Sequence, residues 1–148
     1  MIKRKELYNE IPELVVSTTV AVRFNEVDAL GIVWHGQYIS YFEDGREAFG
    51  LVHGIDYLTV QKHGFTTPIV KSTCAHKLPL RYSENFRIDT FFVNTAAAKL
   101  IFRYKLYNAA DQLVCTGETV QVFLDQENTM VLSTPDFVLD WKRKVGIA

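Results

Sequence analysis

Apolar and polar positions alternate at the start of the chain: Leu14, Val16, Thr18, Val20, Val22 and Phe24 fall on one side, and Ser17, Thr19, Ala21 and Arg23 on the other. A period of two is that of a strand packed on one face. The period changes over residues 36–53, where Tyr38, Tyr41, Phe42, Gly45, Ala48, Phe49 and Val52 form one helical stripe opposite Ser40, Glu43, Asp44 and Glu47. This predicts an amphipathic helix. Gly45 in the apolar stripe costs about 1 kcal/mol against Ala, a cost a close approach of a sheet to the helix would explain. Gly54 is a suitable stop.

Beyond residue 66 the chain reads as strands at 69–80, 86–95, 99–107 and 113–124, each with partial alternation. The clearest sets Leu100, Phe102, Tyr104 and Leu106 against Lys99, Ile101, Arg103 and Lys105. Turn-prone pieces between them (Arg81-Tyr82-Ser83-Glu84-Asn85, Ala96-Ala97-Ala98 and Asn108-Ala109-Ala110-Asp111) are short enough to imply antiparallel neighbours. Ser133-Thr134-Pro135-Asp136 then offers the start of a short terminal helix bearing Phe137, Val138 and Trp141. One long helix is available to cover one face of an antiparallel sheet, so the pattern predicts an α+β fold with a curved sheet of about five strands around a single central helix. Open edges and a second face remain, and association usually covers these.

Composition narrows the function classes. The 148 residues are 48% hydrophobic and 22% charged, with a formal net charge of −1. This is a globular balance for one domain spanning residues 1–148, with no linker or repeat dividing it. Neither charge sign dominates, so there is no electrostatic case for nucleic acid. The run Lys142-Arg143-Lys144 reads as a solvated helix end complementing the helix dipole. The basic start Lys3-Arg4-Lys5 has no apolar region after it, unlike a secretory signal. No apolar run approaches the roughly 20 residues of a membrane span. Cys74 and Cys115 are too few for a disulfide framework or a metal spacing, and His53, His63 and His76 lack partners at ligand spacing, so free thiols, no metal and a cytoplasmic location are expected.

Candidate chemistry concentrates between Val22 and Tyr38, where a strand gives way to a loop carrying Asp28 and then to a helix starting near His35. A carboxylate can attack or activate water, and backbone N–H groups at a helix N-terminus can hold an oxyanion. Those are the two parts an acyl-transfer site needs. An Asp in a loop also commonly closes an Asx-turn or caps a helix.

Arg23-Phe24, Asp28, Gly31-Ile32-Val33-Trp34-His35, Tyr38 and Tyr41-Phe42-Glu43, together with the order of elements, resemble the hotdog fold, and more narrowly the acyl-CoA thioesterases of the 4-hydroxybenzoyl-CoA thioesterase type with their Tol-Pal-associated relatives. The resemblance covers about residues 14–128. It departs in the turn after Tyr82, where many relatives have Pro and this chain has Ser83-Glu84-Asn85. It implies hydrolysis of an acyl-CoA to a free acid and coenzyme A, with Asp28 as nucleophile or general base and backbone N–H groups near His35 and Gly36 polarising the carbonyl. It places Gly31, Ile32, Val33, Trp34, Tyr38 and Glu43 at the substrate. It implies no metal or redox cofactor, and a homodimer or a homotetramer made as a dimer of dimers, with the site at the subunit interface.

Several of these residues carry a second reading. His35 either hydrogen-bonds substrate or packs at the helix entry while lending its backbone. Gly36 either admits a ligand closely or merely starts the helix. Glu43 either meets the acyl end or pairs with Arg46 on the surface; Asp44 and Glu47 are reserve acids should Asp28 not act. Tyr38, Phe42 and Phe49 fit the core stripe, while Trp34 suits a pocket wall or a subunit seam. Lys71, Lys77, Arg81, Arg87, Lys99, Arg103 and Lys105 include whatever binds the coenzyme phosphates. A hotdog dehydratase or hydratase and a non-catalytic acyl-CoA or acyl-carrier binding module are the rival functions. The dehydratases and hydratases usually pair a loop His with a helix acid, an order this chain reverses.

Overall fold

The computed structural model describes residues 9–147, with side chains from Leu14 onward; the basic residues Lys3, Arg4 and Lys5 lie outside them. In chain order the elements are β1 (Asn9–Ala21), α1 (Gln37–His53), α2 (Tyr57–Lys62), β2 (Ile69–His76), β3 (Asn85–Asn94), β4 (Lys99–Asn108), β5 (Leu113–Val122) and α3 (Asp136–Val145). The strands form one antiparallel sheet in the order β1-β3-β4-β5-β2, leaving β1 and β2 at its edges. The predicted α+β architecture is therefore found, with α1 lying across one face.

Small residues bring helix and sheet together. A Cβ on Gly45 would lie 2.3 Å from Thr90 Oγ1 and 3.0 Å from Ile88 Cγ2, so the helix backbone rests almost directly on β3. Gly117 of β5 leaves room for the Phe42 ring, which stacks on Tyr104 at 4.4 Å. Tyr41, Phe42 and Phe49 are fully buried among Phe86, Ile88, Phe92, Phe102 and Leu106. Truncating such a ring to Ala costs about 3–5 kcal/mol. α3 closes the far end: Trp141 Nε1 donates to the His53 carbonyl at 2.7 Å, and its ring meets Phe92 edge-on.

Several boundaries and positions differ from the sequence reading. β1 stops at Ala21, and Phe24–Glu26 form a 3-10 turn whose Phe24 is exposed. β2 ends at His76 rather than at residue 80, because Lys77 and Leu78 turn their N–H groups to the Val114 carbonyl and leave the ladder. The short α2 went unread: six residues are too few to display a period. Val52, assigned to the apolar stripe, is 66% exposed, since the stripe drifts off the sheet at the end of α1. Lys142 is buried instead of solvated, and its ammonium donates to the Thr95 carbonyl at 2.7 Å. No helix among the described residues is long and apolar enough to cross a membrane.

Candidate active site

The loop between β1 and α1 is a small hairpin. Val27 pairs with Val33, the Asp28 N–H donates to the Ile32 carbonyl at 2.8 Å, and the Gly31 N–H returns to the Asp28 carbonyl at 3.0 Å. Gly31 takes the left-handed conformation this turn requires, with φ of +76°. The hairpin is pinned to the segment after β2, since Val33 N–H donates to the Leu80 carbonyl at 2.8 Å and Ile32 bridges Arg81. One oxygen of Asp28 accepts the Leu30 N–H at 2.8 Å, an Asx-turn that fixes the direction of the carboxylate.

A cleft of about 290 Å³ opens at this point, lined by Asp28, Ile32, Val33, His35 and Tyr38 on one side and His76, Lys77, Leu78 and Pro79 on the other. α1 begins at Gln37 beside it, and no side chain caps its N-terminus. The half-buried acid thus shares one concave surface with His35 and Tyr38, which flank the positive end of the helix. Tyr38, itself buried, reaches the cleft and meets the His76 ring edge-on at 4.9 Å. Burial, then the neighbouring Cys115 sulfur, pushes its hydroxyl up to about 12, so it stays protonated at neutral pH and can only donate or accept a hydrogen bond.

The remaining singled-out residues divide. His35 is exposed and lines the cleft. Trp34, 52% exposed, lies over Gly36, where an added Cβ would meet its ring at 2.3 Å. The space above Gly36 therefore holds an indole, and Gly36 has the ordinary φ of −69°. Glu43 is not at this cleft. It lines a second cavity of about 620 Å³ further along α1, with Arg46, Leu51, Leu58, Ile69, Phe102 and Gln121 among its walls. There Arg46 Nη2 stands 3.8 Å from Glu43, while Nη1 donates to Tyr104 Oη at 3.1 Å. Of the reserve acids, Asp44 faces a third groove on the β1 side of the helix. Burial, then Glu26 and Glu47, raises its carboxyl above the usual range.

Sequence reasoning did not single out His76, Leu78, Pro79 or Glu26. The first three reach the cleft because the hairpin bonds to Leu80 and Arg81 just beyond them, a long-range pairing that one strand pattern does not reveal. Lys77, one of seven undifferentiated cations in the sequence, is the one that lines the Asp28 cleft. Glu26 stood in plain view two residues before Asp28, and its role appears only in three dimensions. Cys115 is buried and Cys74 half-buried, both free. The neighbouring Cys115 thiol holds Cys74 below its ordinary range. Among the described residues, no three His, Cys, Asp or Glu side chains are grouped to hold a metal ion.

The sequence profile of the thioesterase-like superfamily matches residues 22–142. YneP of Bacillus subtilis (strain 168), which carries the provisional name of an acyl-CoA thioesterase, is 29% identical over 122 residues, covering 82% of this chain and 88% of YneP. The acyl-CoA thioester hydrolase YbgC of Escherichia coli O157:H7 is 24% identical over 106 residues, covering 72% of this chain and 79% of YbgC. Among solved structures, a DHNA-CoA thioesterase from Staphylococcus aureus superposes with a TM-score of 0.79 at 22% identity, covering 88% of this chain and 90% of that one.

Proposed function

The chain belongs to the thioesterase-like superfamily, which makes it a hotdog-fold thioester hydrolase, and we propose that it cleaves an acyl-CoA to a free acid and coenzyme A at the Asp28 cleft. The observation that carries this reading is the meeting, in one cleft, of a fixed carboxylate with His35 and Tyr38, the residues that flank the uncapped head of α1. A thioester carbonyl is already electrophilic. Backbone N–H groups at the head of α1 would hold the oxygen as it gains charge, and losing one such donor typically costs about 10²–10³ in rate.

Two routes fit the single acid. In one, the Asp28 carboxylate attacks the carbonyl carbon, coenzyme A leaves as its thiolate, and water then opens the mixed anhydride. In the other, Asp28 takes a proton from a water that attacks directly, and the thiolate leaves after the tetrahedral adduct collapses. Oxygen-18 from labelled water enters the Asp28 carboxylate during single turnover only by the first route. Lys77 at the cleft wall is suited to the anionic coenzyme, and the second cavity, with Leu51, Leu58, Ile69 and Phe102 among its walls, to an acyl group.

A second copy of the chain is proposed to complete the site. β2 is an edge strand, Ile69 and Val70 on it are exposed, and Leu51, Tyr57 and Leu58 expose further apolar surface. Unpaired edges and patches of this kind are usually covered by association. Dimers, or tetramers built from them, are the expected species in sedimentation, and a monomer would count against this part of the reading.

The direct test incubates the protein with acetyl-, hexanoyl-, palmitoyl- and benzoyl-CoA and reads released thiol with Ellman's reagent. Turnover of at least one is expected. Coenzyme A binding without turnover of any would favour an acyl-CoA binding module instead.

A further inference from the structure

The proposed reaction depends on two parts carried by different elements, the Asp28 carboxylate on the loop and the amides at the head of α1. We infer that Glu26 sets the offset between them, as a positioning residue that binds both elements and does not touch substrate; the inference rests on the Asp28 chemistry proposed above.

The carboxylate of Glu26 is shared among three donors. Oε1 accepts the Arg23 backbone N–H at 2.7 Å and the Tyr41 hydroxyl at 3.1 Å, and Oε2 accepts Gln37 Nε2 at 3.2 Å. Arg23 follows the end of β1, whereas Gln37 and Tyr41 sit one turn apart on the first two turns of α1. The backbone adds two more ties: the Glu26 carbonyl accepts the Trp34 N–H at 3.0 Å, and its N–H donates to the Arg23 carbonyl at 3.0 Å. From Glu26 the chain passes directly into the Val27–Val33 pairing that holds Asp28.

One residue therefore joins the strand end, the acid-bearing hairpin and the helix head. Glu26 is absent from the lining of the Asp28 cleft. Tyr41 is fully buried, and burial together with Glu26 pushes its hydroxyl far above its ordinary range, so it remains a donor across the working pH range. Bonds to an ionised carboxylate are roughly twice as strong as neutral ones, which suits a joint that must not drift.

The test compares Glu26→Gln and Tyr41→Phe, each alone and combined with Asp28→Asn, using whichever of the four acyl-CoAs the wild type turns over fastest. Thermal melting and coenzyme A affinity are measured alongside. Misplacing a catalytic group by about 1 Å can cost about 10²-fold. Glu26→Gln is therefore expected to lower kcat by roughly 10- to 100-fold with KM changed less than about twofold. Tyr41→Phe, which removes one hydroxyl and keeps the ring, should lower kcat by roughly 3- to 10-fold in a folded protein. In the Asp28→Asn background, either change should alter the residual rate by less than about twofold, since groups acting through one another are not additive.

Wild-type kcat in Glu26→Gln, alongside an inactive Asp28→Asn, would overturn the positioning role and leave the hydrolase reading standing. An undiminished effect in the Asp28→Asn background would also overturn it, by showing that Glu26 acts on structure at large. Full turnover by Asp28→Asn would sink the reading of the acid and this inference with it. Should Glu26→Gln fail to fold, Tyr41→Phe carries the same kcat-against-KM comparison.

Discussion

Replacing Gly45 by Ala sets two effects of known sign against each other. In an exposed helix the change stabilises by about 1 kcal/mol, because Gly is the costlier residue in a helix interior. Here the new methyl would lie 2.3 Å from Thr90 Oγ1, 3.0 Å from Ile88 Cγ2 and 3.5 Å from Tyr104 Cδ1. Relief requires helix and sheet to part by about 1 Å, given an ordinary carbon contact near 3.5 Å. Thr90 cannot retreat easily, being fully buried and paired to Val16 on one side and Tyr104 on the other. Overpacking of this kind costs about 1–3 kcal/mol, and the closeness of the contact argues for the upper end, leaving a net loss of about 2 kcal/mol after the propensity gain. At roughly 2–4 °C per kcal/mol for a domain of this size, Tm should fall by about 4–8 °C. Urea unfolding at fixed protein concentration measures the loss, the concentration being held because association shifts apparent stability. In a Thr90→Ala background the penalty should shrink by about 1 kcal/mol or more, since the offending oxygen, which has no hydrogen-bond partner, is gone. A Gly45→Ala protein as stable as the wild type, or a penalty indifferent to Thr90, would refute the close approach.

Burial holds the His53 imidazole below its ordinary range, and its Nε2 is buried without a hydrogen-bond partner. The unfolded chain, titrating near 6.5, binds the proton more readily than the folded one. Stability from this group is therefore whole above about pH 6.5 and declines as the pH falls below it. Urea midpoints between pH 7.5 and 5.5 should fall less in His53→Gln than in the wild type, and equal slopes would contradict this. Gly36→Ala must displace the Trp34 ring, but that ring is half exposed and free to swing outward, so stability should change by less than about 1 kcal/mol. Tryptophan emission should shift to the red, and an unmoved spectrum would mean that the indole does not lie over Gly36.

The fold was legible where packing imposes a period over many residues. β1, β3 and β4 largely alternate because one face rests on α1, and the stripe Tyr38-Tyr41-Phe42-Gly45-Phe49 marks the face that α1 turns to the sheet. The cost of Gly45 pointed to a close approach of a sheet, and Thr90 and Ile88 of β3 are what it approaches. The misreadings fall at ends and short pieces. α2 is too brief to show a period, β2 is exposed along most of its length and so lacks contrast, and Lys142 hides a buried ammonium under a run of charge. At the site, Asp28 was visible because a loop acid before a helix has a chemical meaning on its own. His76 was not, and Lys77 stood undifferentiated among seven cations, because only the bonding of the hairpin to Leu80 and Arg81 brings the segment after β2 against the acid. Glu43, which resemblance placed at the acyl end of the substrate, lines the second cavity and not the Asp28 cleft, a separation that one helical pattern does not display.

Hydrolysis at this cleft turns on the Asp28 carboxylate, and Asp28→Asn removes its charge with almost no change of shape. The Asx-turn to the Leu30 N–H survives, because the amide oxygen can accept the same bond. Single-turnover release of thiol from the preferred acyl-CoA, measured beside coenzyme A affinity and Tm, separates chemistry from binding and folding. The expected result is a rate lowered by about 10²- to 10⁴-fold with affinity and Tm preserved; an Asp28→Asn variant that hydrolyses the thioester at the wild-type rate would contradict the role of the acid.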